Sequence, residues 1–385
     1  MDGKKRAYPA AEGCSMGHGY PPVWLSAALL ALALMWRMVG APLTATQFED
    51  MQTPLWQARV LLPTRVGRIL RLWMPGAQEA QAQTIREEAL GEEGQVLDRL
   101  MNGEDQQTIS VYLAQEGRVV EMALESYVCG VVAAEMPAAY HLEALKAQAV
   151  AARTRAIWQT ENGGCALHAG ADICTDSAHC QGYATPDQCR ELWGGEYTAY
   201  RDRVLQAVAA TRDELVTYGG QPITVMYHAI SGGRTEAAQT VFSQALPYLV
   251  SVESDGEEGV PGYQQDTFFT FDEMAALLGD AFDLDLTAQE VERTLAVAGY
   301  TDTGRVAAML VGDKEVEATA FRQALGLRST WFTMSMDGSG VTFHQRGYGH
   351  GVGMSQAGAN SMAADGADYR AILTHYYPGV LVVKP

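Results

Sequence analysis

An apolar segment near the start of the chain constrains where the rest of the chain can fold. It runs from Val23 to Leu43, and about 20 apolar residues in a helix span the hydrocarbon core of a bilayer. Lys4, Lys5 and Arg6 precede the segment, and basic residues favour the cytoplasmic side of a membrane. The sequence therefore predicts a single-pass anchor at 23–43, a cytoplasmic leader at 1–22, and an extracytoplasmic location for all later residues.

A cleaved signal peptide is the alternative interpretation of this segment. Small residues at 39–41 resemble a signal-peptidase site. Against this, Pro42 would directly follow the cut, and the polar leader is long for a signal peptide. Residues 44–107 are predicted to form a juxtamembrane stalk, since 78–95 are rich in Ala, Glu and Gln and carry no recognisable chemistry. Under either alternative the remainder of the chain is exported.

The charge of the chain excludes one class of partner. The formal net charge is −19 and the isoelectric point is about 4.8. Binding to nucleic acid requires lysine and arginine to neutralise phosphates, so no nucleic acid is expected as a partner. A carbohydrate substrate stays compatible with the charge, because sugars are bound by stacking and by neutral hydrogen bonds.

Residues 108–385 are predicted to form one large folded region of the α+β class, with mixed sheets and packed helices. Residues 108–113 alternate apolar and polar side chains, and a Glu116–Gly117 turn leads into a second such run, which predicts a β-hairpin. Pro137 suits the first turn of a helix. Apolar residues at helical spacing then predict a helix over 138–159.

Glu135 lies in an otherwise apolar stretch just before this predicted helix. Burial would raise the pKa of its carboxyl group, whereas the positive end of a helix dipole would lower it. If burial dominates, the carboxyl group holds a proton near neutrality, as a general acid requires. The structural alternative is a helix-capping glutamate.

Four of the six cysteines lie between Cys165 and Cys189, which indicates a local site. His168, Cys174 and Cys180 are spaced six and six residues apart, and thiolates and imidazoles are good zinc ligands. The alternative is a disulfide bond such as Cys165–Cys189 with unrelated histidines. The spacing alone leaves both interpretations open.

Two glycine-containing loops display further polar side chains. Residues 225–236 predict a strand that runs into a Gly–Gly turn next to Ser231. Residues 347–359 are rich in glycine and present His350 and Gln356 near the start of a predicted helix. Glycines permit the backbone to approach another group closely. The alternative for the second loop is a tight turn with a structural histidine.

Taken in order, these stretches resemble the stage II sporulation protein D family, whose wider relatives include amidase-enhancer proteins. The resemblance covers about residues 108–385. Phe242 stands where the family pattern has tryptophan, and Cys129 stands where a small residue is usual. The matching stretches are 128–137, 144–156, 168–183, 231–236, 247–254, 303–306, 322–330 and 347–359.

The resemblance implies a lytic transglycosylase that acts on peptidoglycan strands already stripped of stem peptides by a partner amidase. In the sporulation member this activity serves engulfment of the forespore, so the expected location is the mother-cell membrane facing the forespore, among other engulfment membrane proteins. Glu135 would act alone, first as acid and then as base. Two rival functions are a non-enzymatic glycan-binding activator of an amidase and a zinc hydrolase.

The resemblance also implies roles for further residues. The glycan cleft would contain Lys146, Arg153, Ser231, Tyr248, His350 and Gln356. The alternative for Lys146 and Arg153 is ion pairing beneath the helix that carries them. His168, Cys174 and Cys180 would bind a structural zinc ion, with water, His179 or another side chain as the fourth ligand. A catalytic zinc ion is the sharper alternative.

Overall fold

The computed structural model describes residues 107–385, which begin with a hairpin. Strands β1 (Thr108–Leu113) and β2 (Arg118–Ala123) pair antiparallel, which confirms the predicted hairpin. Strand β3 (Ile173–Cys174) joins the free edge of β1 in parallel. Because β3 follows the cysteine-rich segment, this pairing holds that segment against the hairpin.

Two helices follow, and their bounds correct the prediction of a single helix over 138–159. Helix α1 spans Leu124–Glu135 and helix α2 spans Leu142–Glu161. Glu135 is therefore the last residue of α1, and Pro137 lies in the connection to α2. The physical reason is burial: α1 is apolar on nearly all sides, so it carries no amphipathic periodicity for sequence analysis to detect.

Helix α2 is the central element of the first hydrophobic core. Its alanines at 144, 147, 149, 151, 152 and 156 are fully buried, and small side chains permit close approach of neighbouring helices. It contacts α1, α4 (Tyr197–Ala210), α9 (Gln356–Ala364) and α10 (Tyr369–Tyr376). The first core therefore unites elements from both ends of the described region.

Short elements complete this part of the molecule. Strand β13 (Met354–Ser355) pairs in parallel with β6 (Tyr227–His228). Strand β4 (Leu215–Tyr218) pairs antiparallel with both β5 (Gln221–Pro222) and β14 (Leu381–Val383). Ser355 and Asp368 cap α9 and α10, respectively, and accept hydrogen bonds from the backbone of these helices. The remaining bounds are α3 Pro186–Trp193 and α5 Ala238–Phe242.

Residues 264–346 enclose a second hydrophobic core of their own. Its two three-stranded sheets have the orders β11-β12-β7 and β10-β9-β8. Thr270 and Thr287 form capping boxes with Glu273 and Glu290, and these boxes set the starts of two helices. The elements are β7 Gln264–Thr270, α6 Phe271–Phe282, α7 Ala288–Thr294, β8 Ala296–Tyr300, β9 Val306–Val311, β10 Lys314–Glu317, α8 Ala318–Ala324, β11 Phe332–Asp337 and β12 Gly340–Arg346.

The described elements form a mixed α+β architecture of several small sheets and packed helices, in agreement with the predicted class. The predicted leader, the anchor at 23–43 and the stalk at 44–107 lie outside the described residues, except for residue 107. Within 107–385, no helix has both the length and the apolar character needed to cross a bilayer.

Candidate functional site

Glu135 projects from the end of helix α1 into a polar setting built by two distant loops. The backbone N–H of Gly182 donates a hydrogen bond to Glu135 Oε1 at 2.6 Å. The side-chain amide of Gln356 donates a second. These bonds hold the carboxyl group in one orientation, since both oxygens would otherwise rotate freely about the last side-chain torsion.

The pKa of the Glu135 carboxyl group is raised above its ordinary value because burial removes it from water. The two hydrogen bonds and the charge of Arg155 oppose this effect but do not reverse it. Its position at the C-terminal end of α1 corrects the expected dipole effect, because the negative end of a helix dipole favours the protonated form. The arrangement therefore favours a carboxyl group that retains a proton.

Neutral donors and one cation surround Glu135. Gln356 also contacts the buried Gln148 of helix α2, with 3.4 Å from Nε2 to Oε1. Tyr227 interacts electrostatically with the carboxyl group, and its hydroxyl donates to Gln181 Oε1 at 2.7 Å. Within residues 107–385, the groups that shift the pKa of Glu135 include no second carboxylate. The chemistry available here is proton transfer by a single carboxyl group.

A second cluster lies at the segment that leads to Gly182. The thiols of Cys165, Cys174 and Cys180 surround Nδ1 of His179, and these four atoms all lie within 4.8 Å of one another. The sulfur-to-nitrogen distances are 3.6, 3.4 and 3.2 Å. His168 lies apart from this cluster, with its ring stacked on Tyr112 at 3.6 Å between centroids.

The donor set of this cluster fits zinc. Zinc bonds of about 2.3 Å to sulfur and about 2.0 Å to nitrogen, at tetrahedral angles, place ligand sulfur and nitrogen roughly 3.5 Å apart, close to the distances found here. Of the predicted ligands, Cys174 and Cys180 belong to the cluster, and Cys165 and His179 complete it in place of His168. Cys165 and Cys189 are both free thiols, so the alternative disulfide is absent.

Two residues predicted for the glycan cleft instead form ion pairs. Arg153 is 1% exposed and donates from Nε and Nη2 to both oxygens of Glu125, at 2.7 and 2.6 Å. Lys146 pairs with Glu143 of its own helix at 2.7 Å and remains partly exposed. Both residues therefore form ion pairs, as the alternative interpretation proposed. Arg153 in addition has almost no exposed surface that a sugar could contact.

Ser231 is also fully buried, and its hydroxyl donates to the carboxylate of Glu257. Glu257 is buried as well and accepts further hydrogen bonds from the Gly232 backbone N–H and the hydroxyls of Ser254 and Ser355. Through Glu257, these bonds join the loop that carries Ser231 to the end of the glycine-rich loop at Ser355. Ser231 therefore supports the loop behind the site, and its hydroxyl does not face solvent.

Tyr248 and His350 lie at aromatic contacts. Tyr248 packs against Tyr218 at 5.4 Å between ring centroids. Burial, with the charge of Arg322 as a further cause, lowers the pKa of His350 to about 4, so its imidazole is neutral near pH 7. The ring meets Phe242, which is 44% exposed, edge to face at 5.6 Å. This pair forms an aromatic surface beside the loop that ends at Gln356.

Several residues that shape the site are not evident from the sequence. Gly182, Arg155 and Gln148 all act around Glu135, and Glu257 holds the loop of Ser231. Arg155 donates to the carbonyl oxygen atoms of Val225 and His179. Only Arg155 gave a signal, as a charged residue within the alanine-rich helix. The others act through backbone position or burial, which sequence spacing does not reveal.

Comparison with known proteins identifies the family. A sequence profile described as Stage II sporulation protein matches residues 112–218. Stage II sporulation protein D of Bacillus subtilis (strain 168) is 34% identical over 275 residues, 71% of this chain and 78% of that protein. The homologue of Bacillus amyloliquefaciens is 34% identical over 273 residues, 71% of this chain and 78% of that protein.

A more distant relative is named Amidase enhancer, from Bacillus subtilis (strain 168). The alignment with it has 28% identity over 304 positions and covers 66% of this chain and 40% of the relative. With two sporulation relatives matched over most of their length, the chain belongs to the stage II sporulation protein D family, which acts in sporulation.

Proposed function

We propose that this protein is a lytic transglycosylase that cleaves the bond between N-acetylmuramic acid and N-acetylglucosamine in peptidoglycan. The observation that carries the proposal is the single carboxyl group of Glu135, with a raised pKa and two fixed hydrogen bonds. The proposed setting is engulfment, with the protein anchored in the mother-cell membrane and facing the forespore. A cell-wall amidase and other engulfment membrane proteins are the proposed partners.

One carboxyl group is sufficient for this reaction. Protonated Glu135 gives its proton to the glycosidic oxygen as the bond to C1 of the muramic acid breaks. The resulting carboxylate then takes the proton of the C6 hydroxyl of the same sugar as that oxygen bonds to C1. The attack is intramolecular and has a large effective molarity, so no second carboxylate is needed to activate water. The product ends in a 1,6-anhydro ring.

We also propose a structural zinc ion held by Cys165, Cys174, His179 and Cys180. When bound, the ion supplies a cross-link within the loop. The loop then delivers the Gly182 N–H to Glu135, because Gly182 follows the last ligand by two residues. The acid and base steps stay with Glu135, so the ion has a positioning role.

Mass spectrometry of the products tests the proposed function. Purified glycan strands with and without stem peptides are incubated with the wild-type protein and with Glu135→Gln. We expect 1,6-anhydro products from stripped strands with the wild type only. Hydrated reducing ends would indicate a hydrolase, and turnover by Glu135→Gln would exclude the mechanism. The relative named Amidase enhancer motivates a second candidate, a non-enzymatic activator, which would release no product from strands without an amidase present.

A further inference from the structure

A cationic and aromatic cluster lies at the start of the glycine-rich loop, and none of its residues is among the groups that act on Glu135. The guanidinium group of Arg328 lies 4.1 Å from the ring centroid of Tyr348, and that of Arg346 lies 3.6 Å from the ring centroid of Trp331. Arg305 approaches the same Trp331 ring at 4.8 Å. The cluster brings positive charge and aromatic surface together in a chain whose net charge is −19.

Arg328 and Arg346 have only neutral hydrogen-bond partners within residues 107–385. Arg328 donates to the amide oxygen of Gln265 at 2.7 Å, and Arg346 bonds to the hydroxyl of Tyr263. The ion pairs of this region include neither arginine. A planar guanidinium group binds a carboxylate through two parallel hydrogen bonds. Both arginines therefore retain unused capacity for an anionic ligand.

The cluster is partly exposed to solvent. Tyr348 is 44% exposed, and both Arg328 and Arg346 are only partly buried. Exposed aromatic faces stack on the apolar face of a sugar ring, while a few polar groups fix its orientation. An aromatic surface beside two unpaired guanidinium groups therefore suits a sugar that carries a carboxylate.

The glycine-rich loop connects this cluster to the catalytic carboxyl group. Tyr348 exchanges two backbone hydrogen bonds with Ile230, at 2.7 and 3.0 Å, which fixes this end of the loop. The loop then runs to Gln356, which contacts Glu135. Eight residues of extended chain span at most about 28 Å, so one glycan strand of several sugars can reach both places.

We propose that Arg328 and Arg346 bind the lactyl carboxylate of an N-acetylmuramic acid unit in a stripped strand. This inference rests on the proposed function. In a strand with stem peptides the lactyl carbonyl is an uncharged amide, and an amidase that removes the peptide leaves a free carboxylate. Only the stripped strand then carries a carboxylate on the lactyl group itself, directly at the sugar ring. The cluster thus selects strands already processed by an amidase.

A binding experiment tests the proposal without turnover. Fluorescence anisotropy measures binding of labelled oligosaccharides to the full-length protein in detergent, in the Glu135→Gln background. We expect Arg328→Gln and Arg346→Gln each to weaken binding of stripped glycan about tenfold. Binding of a chitin oligomer of equal length, which has no lactyl group, should stay unchanged and also reports correct folding. Arg293→Gln removes an exposed charge on α7 and is the matched control.

Chemical modification of the glycan gives a second test that does not depend on how the variants fold. Methyl esterification of the lactyl groups should weaken binding about tenfold in the protein that retains both Arg328 and Arg346. In the Arg328→Gln variant it should weaken binding little further. If Arg328→Gln and Arg346→Gln weakened binding of stripped glycan and of chitin equally, the proposal would be overturned. Equal weakening for stripped glycan and polyglutamate would also overturn it, because it would indicate a general attraction for anions. These are binding measurements, so they stand apart from a failure to find 1,6-anhydro products.

Discussion

The backbone N–H of Gly182 lies 2.6 Å from Oε1 of Glu135, which ties the loop of the cysteine cluster to the carboxyl group of helix α1. The loop approaches closely because residue 182 has no side chain. A Cβ atom added there would lie 2.9 Å from Oε1 and 3.4 Å from the carboxyl carbon. The position of Glu135 therefore depends on a glycine 47 residues further along the chain.

Gly182→Ala should disable Glu135 and leave the fold intact. The backbone at 182 does not need the conformation that only glycine adopts readily, and the first contact is with the end of a flexible side chain. The carboxyl group must therefore move, and a displacement of about 1 Å can cost on the order of 100-fold in rate. Release of 1,6-anhydro products measures the loss. Gly195→Ala, where the added methyl group has open space, should retain full activity.

The cysteine cluster makes a prediction about zinc content. Cys165→Ser and His179→Asn should each lower the bound zinc to well below one ion per chain, because each removes one of four donors that surround a common centre. His168→Asn should leave the zinc content unchanged, since the His168 ring stacks on Tyr112. Elemental analysis of the purified proteins measures this. Loss of zinc from His168→Asn, with unchanged zinc in Cys165→Ser and His179→Asn, would instead place His168 among the ligands.

The buried pair of Arg153 and Glu125 predicts a loss of stability. Removing one partner of such a pair costs about 3–5 kcal/mol, because a buried charge is left uncompensated. Arg153→Met should thus lower the free energy of unfolding by about that amount, and Glu125→Leu together with Arg153→Met should recover much of it. Denaturant unfolding measures both. If Arg153→Met instead weakened glycan binding at unchanged stability, the residue would belong to the cleft.

Local signals in the sequence predicted those parts of the fold that depend on neighbouring residues. The hairpin at 108–123 follows from the alternation of apolar and polar residues around a glycine turn, and the structure has it. Helix α1 was missed because valines and alanines on nearly all its faces carry no helical period. Its burial among distant elements decides its structure. Because α1 ends at Glu135, the dipole effect at this residue is the reverse of the one expected.

The candidate site was predictable in its chemistry and less so in its geometry. Glu135 and Gln356 were proposed from the sequence, and the structure brings them together. The cysteine-rich segment predicted a local site, yet the identity of the surrounding ligands depends on how the loop closes. Arg153 and Ser231 lie beneath the surface because their partners, Glu125 and Glu257, come from separate elements that spacing does not connect.

The pH dependence of stability tests the protonation of Glu135. Below the pKa of the unfolded state, about 4.3 for glutamate, the carboxyl group is protonated in both states. As the pH rises, the unfolded state ionises first, since burial raises the pKa of Glu135 in the folded state. Stability therefore falls with rising pH until the folded-state pKa is passed, and then this contribution stays constant.

Glu135→Gln removes this contribution because glutamine does not ionise. The variant should gain stability relative to the wild type as the pH rises from 4 to 8, with the change starting near the unfolded-state pKa. Glutamine retains an oxygen that can accept from Gly182, which keeps the comparison close. Denaturant unfolding of both proteins across this range measures the difference. A difference that shrinks with rising pH would mean that the folded protein favours the carboxylate, and Glu135 would then be poorly suited to donate a proton.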